Sequence, residues 1–174
     1  MPWKNGQGST TELAVAPPDA LLDGFDWRIS IAELRGSGSF SSFPGYERLI
    51  VQLDGPPMIL THGAGSPVAL EPLVPHGFSG DDETACDVAG IAHDFNLIVR
   101  RAVVQPTLTV CRLEGGNETA CESGAVTVLH VLAGRLQAAD GVDLHAGDTR
   151  VADSGEMPAH WAKRCAVVIV ARLA

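Results

Sequence analysis

Asp94-Phe95-Asn96-Leu97-Ile98-Val99-Arg100 alternates in character with a period of two, placing Phe95, Leu97 and Val99 on one face and Asp94, Asn96, Ile98 and Arg100 on the other. That period belongs to a β-strand, whose successive side chains point to opposite sides of a sheet. Outward from this run, Trp27, Ile29 and Ile31 alternate with Arg28, Ser30 and Ala32, and Leu49, Val51 and Leu53 alternate with Arg48, Ile50 and Gln52. Further short runs at 58–61, 108–113, 126–132, 135–138 and 167–172 are separated by Gly, Pro or Asp. Many short strands punctuated by turn residues predict a sandwich or barrel. Helical signal is confined to 17–22 and 87–92, each no longer than a turn, so the chain reads as all-β with few short helices.

A faint internal echo points to two related lobes. Leu53-Asp54-Gly55 and Leu132-Ala133-Gly134 each close a strand that contains Ile50-Val51 or Leu129-His130, and a second strand starts after each turn. Glycine there supplies the positive φ that a tight turn needs. No linker composition separates the halves; the stretch Gly63-Ala64-Gly65-Ser66-Pro67, followed by Pro72 and Pro75, reads as an irregular loop around one short strand. The expectation is one compact unit over residues 1–174, with lobe 1 at about 1–105 and lobe 2 at about 106–174. Leu, Val and Ile should fill the inward strand faces, so an Arg or Lys found there would demand a reason.

Composition narrows the function. The 174-residue chain is 45% hydrophobic and carries a formal charge of −9, which disfavours nucleic acid and anionic membrane as partners. No apolar run approaches the length that spans a bilayer, and Met1 is followed at once by polar, glycine-rich sequence, so a cytoplasmic location is expected. Cys86, Cys111, Cys121 and Cys165 show no Cys-x-x-Cys spacing and read as small apolar residues. His62, His76, His93, His130, His145 and His160 include no His-x-His pair, and the expectation is no metal and no cofactor. Phosphate loops, dinucleotide fingerprints and nucleophile elbows are absent from the sequence.

The amino-terminal run Met1-Pro2-Trp3-Lys4-Asn5-Gly6-Gln7-Gly8 gathers an indole, an ammonium and a carboxamide on a glycine-flexed segment with no apolar period. Such a strip suits contact with a small ligand. Lys4 and Lys163 are the chain's two lysines, which sets Lys4 apart. In a protein of net negative charge, an anion site must work through short-range hydrogen bonds.

Pro2-Trp3-Lys4-Asn5-Gly6, Thr11-Glu12-Leu13, Phe25-Asp26-Trp27-Arg28-Ile29-Ser30-Ile31-Ala32, Gly38-Ser39-Phe40-Ser41-Ser42-Phe43-Pro44-Gly45, Phe78-Ser79-Gly80-Asp81 and Asp94-Phe95-Asn96-Leu97 occur in that order. Together they resemble the HutD/Ves family, with specific motifs over roughly the first hundred residues. The resemblance implies a cupin-like, double-lobed β-barrel or sandwich, a bicupin, associated with histidine utilisation.

On that footing the expected ligand site comprises Trp3, Lys4, Asn5, Arg28, Ser30, Phe78, Asp94, Asn96 and Arg100. Lys4 and Arg100 would bind negative oxygen, Asn5 and Asn96 would read orientation, and Trp3 with Phe78 or Phe95 would form an apolar wall. Arg28 has two readings of equal weight, as a ligand contact or as the ion-pair partner of Glu12 or Asp94. Phe40, Phe43 and Pro44 are expected to close the barrel end or shape its lip. The leading expectation is a non-enzymatic protein that senses or buffers a small carboxylate from histidine degradation, of the urocanate or N-formylglutamate class. One alternative is a metal-independent isomerase, epimerase or hydrolase with Asp94 as general base. A third is a partner-binding module, for which an open barrel edge would allow a homodimer.

Overall fold

A computed structural model describes residues 1, 3, 7–20, 24–115, 118–119, 126–152 and 160–174. The described residues form two compact units, Met1–Val104 and Gln105–Ala174. Every regular element among them is a strand, and no helix is long and apolar enough to cross a membrane. Residues 17–20 make a turn, with Ala20 N donating to Pro17 O at 3.0 Å, where the sequence suggested one.

The first unit holds β1 (Gly8–Ala16), β2 (Trp27–Leu34), β3 (Gly38–Ser39), β4 (Tyr46–Asp54), β5 (Ile59–His62), β6 (Val68–Ala69), β7 (His76–Ser79), β8 (Thr84–Asp87) and β9 (Ala92–Arg100). They form two antiparallel sheets, ordered β1-β2-β9-β4-β7 and β3-β8-β5-β6. The second unit holds β10 (Pro106–Leu113), β11 (Glu118–Thr119), β12 (Val126–Ala133), β13 (Arg135–Ala138), β14 (Asp143–His145), β15 (Thr149–Ala152), β16 (His160–Ala162) and β17 (Ala166–Leu173). Its sheets run β10-β17-β12-β15 and β11-β16-β13-β14.

The two orders are the same order. Replacing β2, β9, β4 and β7 by β10, β17, β12 and β15 converts four strands of the five-stranded sheet into one four-stranded sheet of the second unit, and β3-β8-β5-β6 maps onto β11-β16-β13-β14. Only β1, at the edge of the first unit, lacks a counterpart among the described strands. The sequence echo marks a shared device. β4 bulges against β9 between Gln52 and Asp54, and β12 bulges against β17 between Val131 and Ala133. Each bulge is followed by a glycine at positive φ, Gly55 at 91° and Gly134 at 85°. A Cβ on Gly55 would stand 2.5 Å from Ile91 O, and one on Gly134 would stand 2.2 Å from Cys165 O, so both sites need positive φ and an absent side chain.

Leu34, Ile50, Met58, Leu60, Phe78, Cys86 and Ala92 draw on both sheets of the first unit to make one apolar core, with Trp3 and Phe40 packed against it. Leu129, Val131, Leu136, Leu144, Val168 and Val170 do the same for the second. Fully burying each large side chain contributes roughly 1.5–3 kcal/mol.

The larger sheet of the first unit departs from a simple inside and outside. Both faces of β9 are buried: Phe95, Leu97 and Val99 on one side, Asp94, Asn96 and Ile98 on the other. On β4 the polar-looking set Arg48, Ile50 and Gln52 faces inward, while Leu49 and Leu53 are half-buried. Gln52 is accounted for by the turn it braces, since its Nε2 donates to Pro56 O at 2.8 Å and its Oε1 accepts from Met58 N at 3.1 Å. Arg48, a charge on an inward face, requires a different explanation.

Candidate functional site

Three strands lay their inward faces side by side. Register sets Asn96 of β9 opposite Ser30 of β2, Asp94 opposite Ala32, and Ile98 opposite both Arg28 of β2 and Arg48 of β4. These residues floor a cavity of about 130 Å³. Its walls are Trp3, Thr10 of β1, Ser39 of β3, and Phe40, Ser41 and Phe43 from the connection into β4. An apolar cavity of about 150 Å³ holds a benzene ring, which sets the scale of guest this one can enclose.

Trp3 reaches the wall because Met1 and Trp3 run alongside β1. Thr10 N donates to Met1 O at 2.8 Å, Trp3 N donates to Gly8 O at 2.9 Å, and the indole Nε1 donates to Thr10 Oγ1 at 2.8 Å. Gly8 permits this, because a Cβ there would lie 2.3 Å from Glu33 O and 2.9 Å from the Trp3 ring.

The charges differ in how fully they are answered. Arg28 is buried, and its Nε lies 2.8 Å from Glu12 Oε2 on β1, so one of the two readings of this residue, the ion pair with Glu12, is formed. Arg48 is 5% exposed and meets only neutral acceptors: Nη2 donates to Asn96 Oδ1 at 2.8 Å and Nη1 to Ser41 O at 3.2 Å. Its guanidinium carbon lies 4.8 Å from the Phe78 ring centroid, 5.1 Å from Phe40 and 5.7 Å from Phe43, a cation held among aromatic faces. The Arg48 Nε is buried without a partner. Burial lowers the Arg48 pKa to about 10, with Asp94 opposing the shift, so the group stays charged at neutral pH.

Asp94 is fully buried. Its Oδ1 accepts from Asn96 Nδ2, while its Oδ2 has no hydrogen-bond partner. Burial raises its pKa to about 7, against the pull of Arg48 and His93. A carboxyl that titrates near neutrality thus stands one carboxamide away from an arginine short of acceptors.

Of the residues expected from sequence, the structure brings Trp3, Arg28, Ser30, Asp94 and Asn96 to this cavity. Lys4 and Asn5 lie outside the described residues. Phe78 sits behind Arg48 and supports its guanidinium without lining the space. Phe95, offered as an alternative wall, is on the opposite face of β9 and is corrected on that ground.

Arg100 also needs correction, because it does not reach the cavity. It ends β9 opposite Tyr46, whose ring lies 5.5 Å from its guanidinium carbon. Its Nη2 donates to Phe25 O at 3.0 Å and its Nε lies 3.3 Å from Asp26 Oδ1. Strand alternation puts Arg100 on the same face as Ile98, but the ring of Tyr46 occupies the next position along and its charge is used in structure.

Sequence reasoning missed Arg48. The available signal was its register partner: Arg48 and Gln52 flank Ile50 on β4 just as Asp94 and Asn96 precede Ile98 on β9, two polar inward sets on neighbouring strands.

The profile of the HutD family matches residues 1–169 of this chain. The chain belongs to the HutD family. A Pseudomonas putida protein described as an uncharacterized 21.2 kDa protein in the hutC 3′ region is 44% identical over 99 residues, covering 56% of this chain. That match spans about half of the relative, 52% of its length. The crystal structure of a conserved protein of unknown function from Pseudomonas aeruginosa PAO1 superposes with a TM-score of 0.88 at 34% identity, over 99% of this chain and 92% of the other. HutD from Pseudomonas fluorescens SBW25, solved in a formate condition, gives a TM-score of 0.80 at 31% identity, again over 99% and 92%. A cupin 2 conserved barrel domain protein from Leptotrichia buccalis shares the fold alone, with a TM-score of 0.64 at 9% identity over 100% and 92%. The cupin-like, all-β reading therefore holds, and with HutD membership comes a link to histidine utilisation.

Among the described residues no three His, Cys, Asp or Glu side chains gather as a metal site. Where the first unit has Asp94, Asn96 and Arg48, the second unit has Val168, Val170 and Thr127 at the equivalent points of its ladder. Those three are buried too, at 0%, 6% and 2% exposure. The same topology is thus packed without charges at these positions, so the buried ions of the first unit are not a requirement of the fold.

Proposed function

We propose that the cavity of the first unit binds a small carboxylate metabolite of histidine degradation, of the urocanate or N-formylglutamate class, and that the protein senses or buffers it without transforming it. The observation that carries this reading is Arg48: a charged guanidinium, almost fully buried, in the wall of a partly open cavity, with its Nε–H buried and unpartnered. Buried polar groups are normally hydrogen-bonded, and leaving one unpaired costs about 1–3 kcal/mol, more when charged. A carboxylate entering the cavity would meet this guanidinium, and a small turn of the side chain that brings Nε–H to a carboxylate oxygen would remove the deficit. Ser30 and Asn96 add hydroxyl and amide groups to the floor, and Trp3, Phe40 and Phe43 supply the apolar remainder.

The link between HutD proteins and histidine utilisation narrows the class of acid, an argument from association and not from site chemistry. The test is titration of the protein with urocanate, N-formyl-L-glutamate, glutamate and formate, followed by thermal unfolding and Trp fluorescence. Trp3 in the cavity wall should report binding by a fluorescence change that is absent in Trp3→Phe. One acid should raise the Tm and be recovered unchanged; no response to any of the four would end the proposal.

Asp94 favours one second reading. A buried carboxyl in a cleft with its pKa near 7 is the kind of group that serves as a general base. If the protein is a metal-independent isomerase, epimerase or hydrolase, the bound acid should show product signals or solvent deuterium incorporation by NMR.

A further inference from the structure

Asp94 and Arg48 both line one cavity, and each carries a buried polar atom without a hydrogen-bond partner, the carboxyl Oδ2 and the guanidinium Nε. Asn96 fixes the rest of the arrangement. Its Oδ1 accepts from Arg48 Nη2 and its Nδ2 donates to Asp94 Oδ1, so the guanidinium and the carboxyl flank a single amide plane. Neither residue can turn away without breaking a buried bond.

With Asp94 ionised, Arg48 already has a counter-charge, and an incoming carboxylate would put a second anion into the same cavity. Two carboxylates sharing a site do not both ionise readily. We propose that the cavity takes its anion together with a proton, which Asp94 Oδ2 then donates to the bound carboxylate while Arg48 Nε–H donates to it from the other side. The inference rests on the carboxylate reading given above. It makes Asp94 a proton-linked positioning residue, and it makes ligand affinity fall as the medium becomes alkaline.

The groups facing Asp94 are consistent with this. Arg48 comes from β4 and Asn96 from β9 itself. From β8 comes Cys86, a buried thiol pushed up to about 12 by burial and then by Asp94, so it holds its own proton. His93, the neighbour on β9, is engaged with Asp54 of β4 and Glu33 of β2 on either side. Arg28 is paired with Glu12. Among the other described titratable groups nearby, Glu47 of β4 pairs with Arg101, Asp87 of β8 is exposed, and burial holds the His62 imidazole below its usual pKa, with Arg48 lowering it further.

The experiment is isothermal titration of N-formyl-L-glutamate and of urocanate into wild-type protein between pH 6 and 8.5, in phosphate and in Tris, whose ionisation enthalpies differ. Above neutrality the buffer dependence should report uptake approaching about one proton per ligand, and Kd should rise about tenfold per pH unit. Asp94→Asn keeps a hydrogen-bond donor at the same place but cannot titrate, so its binding should show no linked proton and a flat Kd across pH 7–8.5. His62, His76 and His93 are present in both proteins, and the comparison cancels them. Binding by the wild type without proton uptake at pH 8, or an Asp94→Asn profile as steep as the wild type, would overturn this inference and leave the carboxylate reading standing. Failure of both acids to bind at every pH would remove the carboxylate reading and this inference with it. The wild-type titrations decide the matter by themselves if the variant does not fold.

Discussion

Arg48 Nη2 and Asn96 Oδ1 meet at 2.8 Å across the β4–β9 ladder, and this bond decides which way the Asn96 carboxamide faces. With its oxygen turned to the guanidinium, its nitrogen must face Asp94. Asn96→Leu would fill the volume yet leave a guanidinium N–H and a carboxyl oxygen unpaired in the interior. Loss of about 2–4 kcal/mol is expected, read by urea denaturation. A loss below about 0.5 kcal/mol would mean that the amide is not bridging these groups.

Replacing the whole buried set, Arg48→Met with Asp94→Val and Asn96→Val, should separate function from stability. Exchanging an entire buried ionic set for packed hydrophobes is often neutral or stabilising, whereas Arg48→Met alone would leave Asn96 Oδ1 without its donor and Asp94 without its counter-charge. Thermal unfolding of the triple variant should show a Tm equal to or above that of Arg48→Met, with carboxylate binding abolished in both. Arg100→Ala should do the reverse: a loss of up to about 1 kcal/mol from its half-exposed contacts with Asp26, Phe25 and Tyr46, and unchanged binding.

His62 on β5 and His76 on β7 join the two sheets of the first unit, with their Nε2 atoms 3.0 Å apart. The ring planes lie within 16° and the centroids are 5.3 Å apart, so the imidazoles meet tip to tip around a single proton. Burial lowers both pKa values; for His62 the neighbouring His76 and Arg48 lower it further while Asp82 opposes. The unfolded state therefore binds protons more readily than the folded one. Stability from this contact is fully present above the unfolded value near 6.5 and is lost as pH falls through it toward the folded values. In denaturation at pH 7.5 and pH 5, the advantage of the wild type over His62→Gln should shrink at the lower pH; a constant or growing advantage would contradict the shared-proton contact.

Gly55→Ala and Gly134→Ala should each cost well over 2 kcal/mol, because a left-handed conformation is combined with a backbone oxygen inside contact distance. Gly141 has a similar φ of 87° but nothing within 4 Å of the missing Cβ. Gly141→Ala should therefore cost only about 1–2 kcal/mol. Equal losses at all three positions, measured by chemical denaturation, would show that conformation alone matters and the close approach does not.

The strands were legible because alternation in Trp27–Ala32, 48–53 and Asp94–Arg100 follows directly from the pleat. The echo at Gly55 and Gly134 was legible because two bulges impose the same steric demand on two glycines. The orientation of 48–53 was not, since Leu49, Val51 and Leu53 look like the interior set, whereas tertiary packing buries Arg48, Ile50 and Gln52 along with Val51 and leaves Leu49 and Leu53 half-buried. Alternation likewise placed Arg100 with Asp94 and Asn96 but carried no knowledge of Tyr46, which captures it across the ladder. Convergence of side chains from β1, β2, β4 and β9 depends on strand order, and strand order is not written in any local run.

The repeated topology gives this chain an internal reference. Val168 and Val170 record what the scaffold accepts when packing alone is at stake, and Asp94 and Asn96 record what was added at the same register in its twin. Exchanging the two sets, Asp94→Val with Asn96→Val, would rewrite the first copy in the vocabulary of the second and measure what a buried carboxyl and carboxamide cost the scaffold that holds them.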